Sequence, residues 1–471
     1  MRTIVIGGGI SGLACAYHLR QRGVPVLLLE QAQRVGGVID SVEEEGFLFE
    51  LGPQSFLSTD ALLEVIGSAG LGTEVLRANP RAPRFVLANG RLERVPTSPA
   101  GLLTTTLLSR PTKWRLVSEP FSRSAPPETD ESVADFVRRK FGADLLEHLA
   151  GPFVSGVYAG DPEKLSLRSA FPSVHQWEKD YGSVLRGAMK SRPRERKARP
   201  ALCSFSRGVA ALVRALGERL GDSARCGARV TAVRRSKADG KEQFELQVSG
   251  DGAAQVLTAS SVVVATETPA AGQLLANLSP QFPVYFEQIE YAPVAVVAAG
   301  YRREQVAHAA DGFGFLVARK EGLRALGCVW NSSLFPGRAP KGMLNFTSFA
   351  GGATDPELCE WSEGRIAETV CGEIAGVLGI SGPPAKRLVW RHRRALPQYN
   401  LGHSKTIAAL RQACSPFPGL FLAGNYLEGP AIGACVEQAF RIAEDVERYL
   451  ASTEEAGGAQ KASGHAISEA K

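Results

Sequence analysis

Residues 1–40, MRTIVIGGGISGLACAYHLRQRGVPVLLLEQAQRVGGVID, read as strand, glycine turn, helix and strand. Thr3 to Ile6 is a short apolar run of the buried-strand kind. Gly7, Gly9 and Gly12 follow in G-x-G-x-x-G spacing, with Gly8, Ile10 and Ser11 between them. The first glycine permits a tight turn, the second lets backbone approach a pyrophosphate, and the third lets the helix pack closely on its strand. The N-terminus of that helix then faces the phosphates, and the whole is an anion cradle.

The helix is expected from Ser11 to Arg22, burying Leu13, Ala16, Tyr17 and Leu19, with Gly23 ending it. Val26 to Leu29 is the next strand, and it delivers Glu30, followed by Gln31, to the strand's carboxyl end. A carboxylate there accepts hydrogen bonds from the ribose hydroxyls of an adenosine, so the pattern predicts a dinucleotide site. NAD and FAD share this cradle. Arg34-Val35-Gly36-Gly37-Val38 and then Gly52-Pro53-Gln54-Ser55 favour FAD, because they resemble the second signature of amine-oxidase type flavoproteins and the turn that runs along their flavin. No second glycine triplet occurs, since Gly312 and Gly314 lack the third glycine. One noncovalent FAD and no nicotinamide site are expected.

Composition excludes several other classes. A chain of 471 residues with 44% hydrophobic content suggests two to three domains with large cores. The longest strongly apolar stretch, Ala292 to Gly300, is far short of the roughly 20 residues that span a bilayer. The N-terminal strand cannot be a signal peptide without destroying the cofactor site, so a cytoplasmic protein is expected. Eight cysteines occur without a C-x-x-C pair and seven histidines are dispersed, so neither a dithiol relay nor a metal is expected. Between Lys190 and Arg199 six basic residues face one acid, the sign of a solvated loop or of attraction to anionic lipid. Nucleic-acid binding is disfavoured because no aromatic stacking platform accompanies the charge.

Read in order, the chain is expected to be α/β, with a discontinuous Rossmann-like cofactor part (1–78, 203–275 and 415–450). An antiparallel substrate sheet (79–96 and 276–414), a helical insertion (97–202) and a disordered tail (451–471) complete it. Asn89-Gly90 predicts a hairpin between Arg84–Leu87 and Arg91–Val95. Leucines 102, 103, 107 and 108 with Trp114 among basic residues fit either a membrane-interface surface or an internal helical core. Phe153 to Asp161 reads as a glycine-rich loop, including Gly156, that approaches a ligand. Val230 lies on a strand placed to touch adenine, as in similar flavoproteins. Gly419 to Asn425 reads as a buried strand ending in Gly424, and Gly433 to Leu450 as its helix, preceded by Pro430, Ala431 and Ile432. This resembles the C-terminal FAD signature of the amine-oxidase superfamily, where the helix N-terminus stabilises negative charge on the reduced flavin.

Four further blocks narrow the resemblance. Phe153–Asp161 with Lys164-Leu165-Ser166, Gly312–Val317, Phe335–Pro340 and Phe349–Gly352 resemble the protoporphyrinogen oxidase family, most of all its oxygen-dependent bacterial members. The resemblance implies that Arg84 pairs with a propionate of a tetrapyrrole, that Leu316 and Val329 sandwich one pyrrole ring, and that Phe349 stacks on another. Sheet-core packing is the plain alternative for the three apolar residues, and a surface ion pair for Arg84. The implied reaction removes six electrons from protoporphyrinogen IX using O2, with no acid–base residue assigned. The resemblance also implies peripheral membrane contact and a dimer or monomer–dimer mixture. Coproporphyrinogen III is the alternative substrate, and a flavin-free prenyl-group carrier of the GDP-dissociation-inhibitor type is the non-enzyme alternative.

Overall fold

The structure, a computed structural model, describes residues 2–191, 200–238, 241–250 and 254–468. Five strands from across the chain form a parallel sheet in the order Ala224–Arg225, Val26–Leu29, Thr3–Ile6, Ser261–Val264 and Leu420–Leu422. The strands are short apolar runs because both faces of the sheet are covered. Val5, Leu28 and Val263 enter one core, under the helices Ile10–Gln21, Ala210–Leu220, Asp60–Ser68 and Ile432–Ser468. Ile4, Ile6, Leu29, Val262 and Val264 enter the other, against the antiparallel sheet Arg229–Ala238, Lys241–Ser249 and Gln255–Ala259. Each such side chain taken fully out of water contributes roughly 1.5–3 kcal/mol.

The second large sheet has seven strands, in the order Lys386–Pro397, Tyr291–Arg302, Met343–Gly351, Ala325–Trp330, Gly314–Val317, Arg84–Ala88 and Arg91–Arg94. It departs from the expected antiparallel sheet at one pairing, where Gly314–Val317 runs parallel to Arg84–Ala88. One face is covered by the helix Glu363–Leu378 through Ile366, Val370, Ile374 and Leu378. The other face looks towards the parallel-sheet half.

Residues 97–190 are mostly helical, as expected. The basic run continues through residues 192–199, which lie outside the described residues, so its role stays an expectation. Three boundaries differ from the sequence reading. Phe153–Asp161 is not a loop: helix Gly151–Tyr158 follows a π-helical turn, Leu146–Ala150, and ends at Ala159 in the left-handed region, φ 48°. The glycine that suggested a break serves close packing, because a Cβ on Gly156 would lie 2.3 Å from Leu316 Cδ2. The final helix does not stop at Leu450 before a disordered tail but runs Ile432–Ser468. Alanine, glutamate and lysine there are good helix formers, and the Ser452 and Thr453 hydroxyls bond carbonyls one turn back. Lys386–Pro397 forms a strand that periodicity alone does not disclose, its arginines marking a protected sheet edge.

Candidate active site

The cradle closes only with glycine. Gly7 has φ +106°, and a Cβ on Gly12 would lie 2.0 Å from the Gly7 carbonyl oxygen. Above Gly9, by contrast, nothing lies within 4 Å of where a Cβ would stand. The helix beginning at Ile10 carries no side-chain cap, so its first N–H groups are left for an anion. The second glycine pair stacks on the first: Gly36 N–H donates to the Gly8 carbonyl at 2.7 Å, and a Cβ on Gly37 would stand 3.3 Å from Gly9 Cα.

Glu30 sits at the strand end, its carboxylate accepting from Gly8 N–H at 2.6 Å and Ala32 N–H at 2.7 Å, with Gln31 exposed beside it. Ala228 N–H donates to the Glu30 carbonyl at 2.8 Å, which starts the strand carrying the buried Val230. Arg34 donates to the carbonyls of Val35, Gly37 and Ile39 and lies 3.2 Å from Asp40, so its guanidinium shapes its own turn. Gly52 passes so close to the Val38 carbonyl that a Cβ would stand 2.2 Å away, and this aligns Pro53, Gln54 and Ser55 beside the cradle. At the far end Gly424 N–H is held by Gln438 Oε1 at 2.9 Å, and the Asn425 carbonyl accepts the Tyr399 hydroxyl. Pro430 and Ala431 lead into the helix that starts at Ile432, and the Ala431 carbonyl accepts from Cys435 N–H at 3.0 Å. An open space over Gly9, free helix N–H groups and a carboxylate at the strand end fit a dinucleotide.

Strand register decides what faces this cradle. Arg84, Gly314 and Val329 are aligned neighbours, as are Leu316, Gly327 and Phe349 two residues further along. Side chains at i and i+2 share a face, so Arg84, Leu316, Val329 and Phe349 all project from one surface. Gly156 on the overlying helix touches that surface at Leu316. The Arg84 guanidinium lies 5.3 Å from the Phe313 ring centre, is exposed, and has no ion pair among the described residues. The five sequence-selected residues of the second sheet and insertion are therefore brought together.

Two residues not selected from the sequence join them. Asn331 follows the Val329 strand, and its amide donates to Gln54 Oε1 at 3.0 Å and Thr347 Oγ1 at 2.7 Å. His392 bonds the Leu51 carbonyl through Nε2 at 2.7 Å, and burial lowers its pKa against the opposing pull of that carbonyl. No local pattern marks Asn331, whose partners are distant in the chain. His403 is held by the Tyr426 carbonyl at 2.9 Å, and burial lowers its pKa to about 4. Among the described residues no group of three or more His, Cys, Asp or Glu side chains could hold a metal, and no helix is long and apolar enough to cross a membrane.

Known proteins match this geometry over nearly the whole chain. Residues 10–447 match the family described as flavin containing amine oxidoreductase. Protoporphyrinogen oxidase 1 of Spinacia oleracea chloroplasts is 35% identical over 95% of this chain and 84% of its own length. Coproporphyrinogen III oxidase of Bacillus subtilis is 30% identical over 96% of this chain and 98% of its own. A crystal structure from Exiguobacterium sp. 255-15, provisionally described as a protoporphyrinogen oxidase, has a TM-score of 0.79 at 26% identity, covering 95% of this chain and 98% of that one. The chain belongs to the flavin containing amine oxidoreductase family and is a flavin-dependent oxidase.

Proposed function

We propose that the chain binds one FAD noncovalently in the cradle and oxidises protoporphyrinogen IX to protoporphyrin IX. Six electrons and six hydrogens pass to three molecules of O2, giving three of H2O2. The observation that carries this reading is the single sheet face on which Arg84, Leu316, Val329 and Phe349 stand beneath Gly156. The relatives named above act on porphyrinogens, and an apolar macrocycle with carboxylate arms suits such a face. Bound flavin supplies the hydride acceptor. The protein orients the ring: Arg84 holds a propionate, Leu316 and Val329 bracket one pyrrole, and Phe349 stacks on another. No side chain is assigned as acid or base.

A second substrate, coproporphyrinogen III, is favoured by one observation. The stretch from Arg77 to Arg84 carries three arginines and no acid, with Arg77, Arg81 and Arg84 all exposed. Two extra propionates call for cations near Arg84, and Arg81 lies three residues before it in the chain. Aerobic turnover of both porphyrinogens, following porphyrin fluorescence and peroxide together, tests the reading. Faster oxidation of protoporphyrinogen with about three peroxides per porphyrin supports it, whereas preference for coproporphyrinogen moves the assignment to that substrate. Arg84→Ala should raise KM about tenfold without loss of flavin. A colourless protein would favour the flavin-free carrier.

The insertion presents Trp114 at 72% exposure and Phe121 at 82%, with Val117 also exposed. These aromatics among basic residues support peripheral contact with the inner face of an anionic membrane. Failure to float with anionic liposomes at any salt concentration would remove that part of the reading.

A further inference from the structure

The segment Leu48–Gln54 carries the chain past the cradle, and the second sheet grips it at every third residue. Asn345 Nδ2 donates to the Leu48 carbonyl at 2.8 Å, His392 Nε2 to the Leu51 carbonyl at 2.7 Å, and Asn331 Nδ2 to Gln54 Oε1 at 3.0 Å. The first two grips end on backbone carbonyls, which any donor could satisfy. The third joins two side chains whose amide orientations are fixed by the rest of the network. Gln54 Nε2 gives its protons to the Glu50 and Gly52 carbonyls, at 3.1 and 3.0 Å. Its Oε1 must therefore face Asn331. Asn331 spends its second N–H on Thr347 Oγ1 at 2.7 Å, and Thr347 is the aligned neighbour of Val329 on the face beneath the substrate site.

All three side chains are sealed from water: Gln54 is 8% exposed, Asn331 1% and Thr347 0%. Asn331 Oδ1 has no hydrogen-bond partner among the described residues. A buried acceptor left unmatched is unfavourable, so stability alone gives a poor reason for an asparagine here. Buried polar contacts can instead specify one relative placement of two packed elements.

We propose that Asn331 is a positioning residue, which through Gln54 holds the flavin-facing turn Gly52–Ser55 at a fixed offset from the Val329–Thr347 floor. The offset sets how the oxidisable carbon meets the flavin, so the inference rests on the flavin reading above. It makes no use of Asn331 as an acid, base or substrate contact.

The test compares Asn331→Ala, Thr347→Val and Thr347→Ser in the flavin-loaded full chain. Asn331→Ala should shift the visible flavin absorption and its midpoint potential while flavin content stays at one per chain. With protoporphyrinogen IX it should lower kcat about tenfold or more, as misplacement of reacting groups does. Thr347→Val, which keeps shape and removes the hydroxyl, should move the same readouts in the same direction. Thr347→Ser should restore them. In the double variant Asn331→Ala with Thr347→Val, the effects should fall short of additive because both cut one link. A lowered Tm with unchanged flavin spectrum, potential and kcat would overturn the proposal. If Asn331→Ala does not fold, the Val and Ser variants at Thr347 decide it alone: equal behaviour of the two overturns it. A shifted spectrum in a chain whose unmodified form turns over neither porphyrinogen would sink the substrate reading and uphold the positioning role.

Discussion

The glycine cradle at residues 7–12 and the helical insertion at residues 97–190 close their interiors by opposite means. In the cradle, side chains are left out: backbone meets backbone so closely that a methyl on Gly12 would stand 2.0 Å from a carbonyl oxygen. In the insertion, charges are brought in. Lys140, with its side chain 5% exposed, lies 3.4 Å from Glu119 and 3.2 Å from Glu178, exposed 1% and 0%. Glu119 also accepts from the Ser183 hydroxyl and from the N–H groups of Val184 and Leu185, capping a helix. At Gly7 and Gly12 the cradle has no tolerance for size, whereas the insertion has none for loss of a partner.

That difference is open to attack from both sides. The largest effect is expected from Gly12→Ala: the added methyl would stand 2.0 Å from the Gly7 carbonyl oxygen, which is backbone and cannot give way, and 3.2 Å from Ala265 Cβ, so flavin content should fall to near zero and Tm with it. Glu119→Ala should come next, leaving Lys140 buried beside one fewer carboxylate. Breaking a buried pair from one side costs about 3–5 kcal/mol, and limited proteolysis should then cut first within residues 97–190.

The two halves should also answer to opposite ends of the pH scale. Burial pushes the Glu50 carboxyl up to about 7, outweighing its bonds from Ser41 and Val209 N–H and the nearby Arg338. A carboxyl that holds its proton more tightly when folded stabilises most at low pH. Its contribution is lost as pH rises from about 4.5 to about 7, roughly 3 kcal/mol over that window. Glu178 is the reverse. Burial raises it, but Arg139, Ser124 and Lys140 together bring it down to about 2, so its contribution is lost as pH falls from about 4.5 towards 2. Hydrogen exchange should show the insertion opening first in acid. Glu50→Gln should flatten the decline between pH 5 and 7, and an unchanged slope of denaturation midpoint against pH would exclude Glu50 as its origin. The smallest change is Ala159→Gly at the end of the helix over Leu316. Relief of its φ of 48° should raise stability by about 1 kcal/mol, seen as a Tm increase of a few degrees.

What the sequence discloses follows the same division. Gly7 and Gly12 are legible because local backbone geometry demands each, Gly9 because the spacing calls for open space where a pyrophosphate approaches, and Glu30 because its strand delivers it there. The Asn89-Gly90 hairpin and the helix Glu363–Leu378 are legible for similar local reasons. Gly156 misleads, since a glycine that admits a neighbouring side chain looks the same in sequence as one that breaks a helix. Nothing local in the sequence marks Glu119, Lys140 or Glu178, and only the fold converges them. Asn331 meets Gln54 across 277 positions of chain, and nothing in either neighbourhood announces the other.

The parallel sheet under the cradle also dictates an order of events during synthesis. Thr3–Ile6 can dock on Val26–Leu29 early, yet its other neighbour, Ser261–Val264, waits for Leu420–Leu422 to cover its far side. At ribosomal speeds of about 5–20 residues per second, that interval is on the order of tens of seconds. A nascent chain thus carries a recognisable cofactor loop on an unfinished platform, exposing sheet edge and apolar surface that invite wrong partners. Stable capture of the flavin becomes one of the last steps in making the enzyme, and its yield in a cell should depend on chaperones more than on the strength of the loop itself.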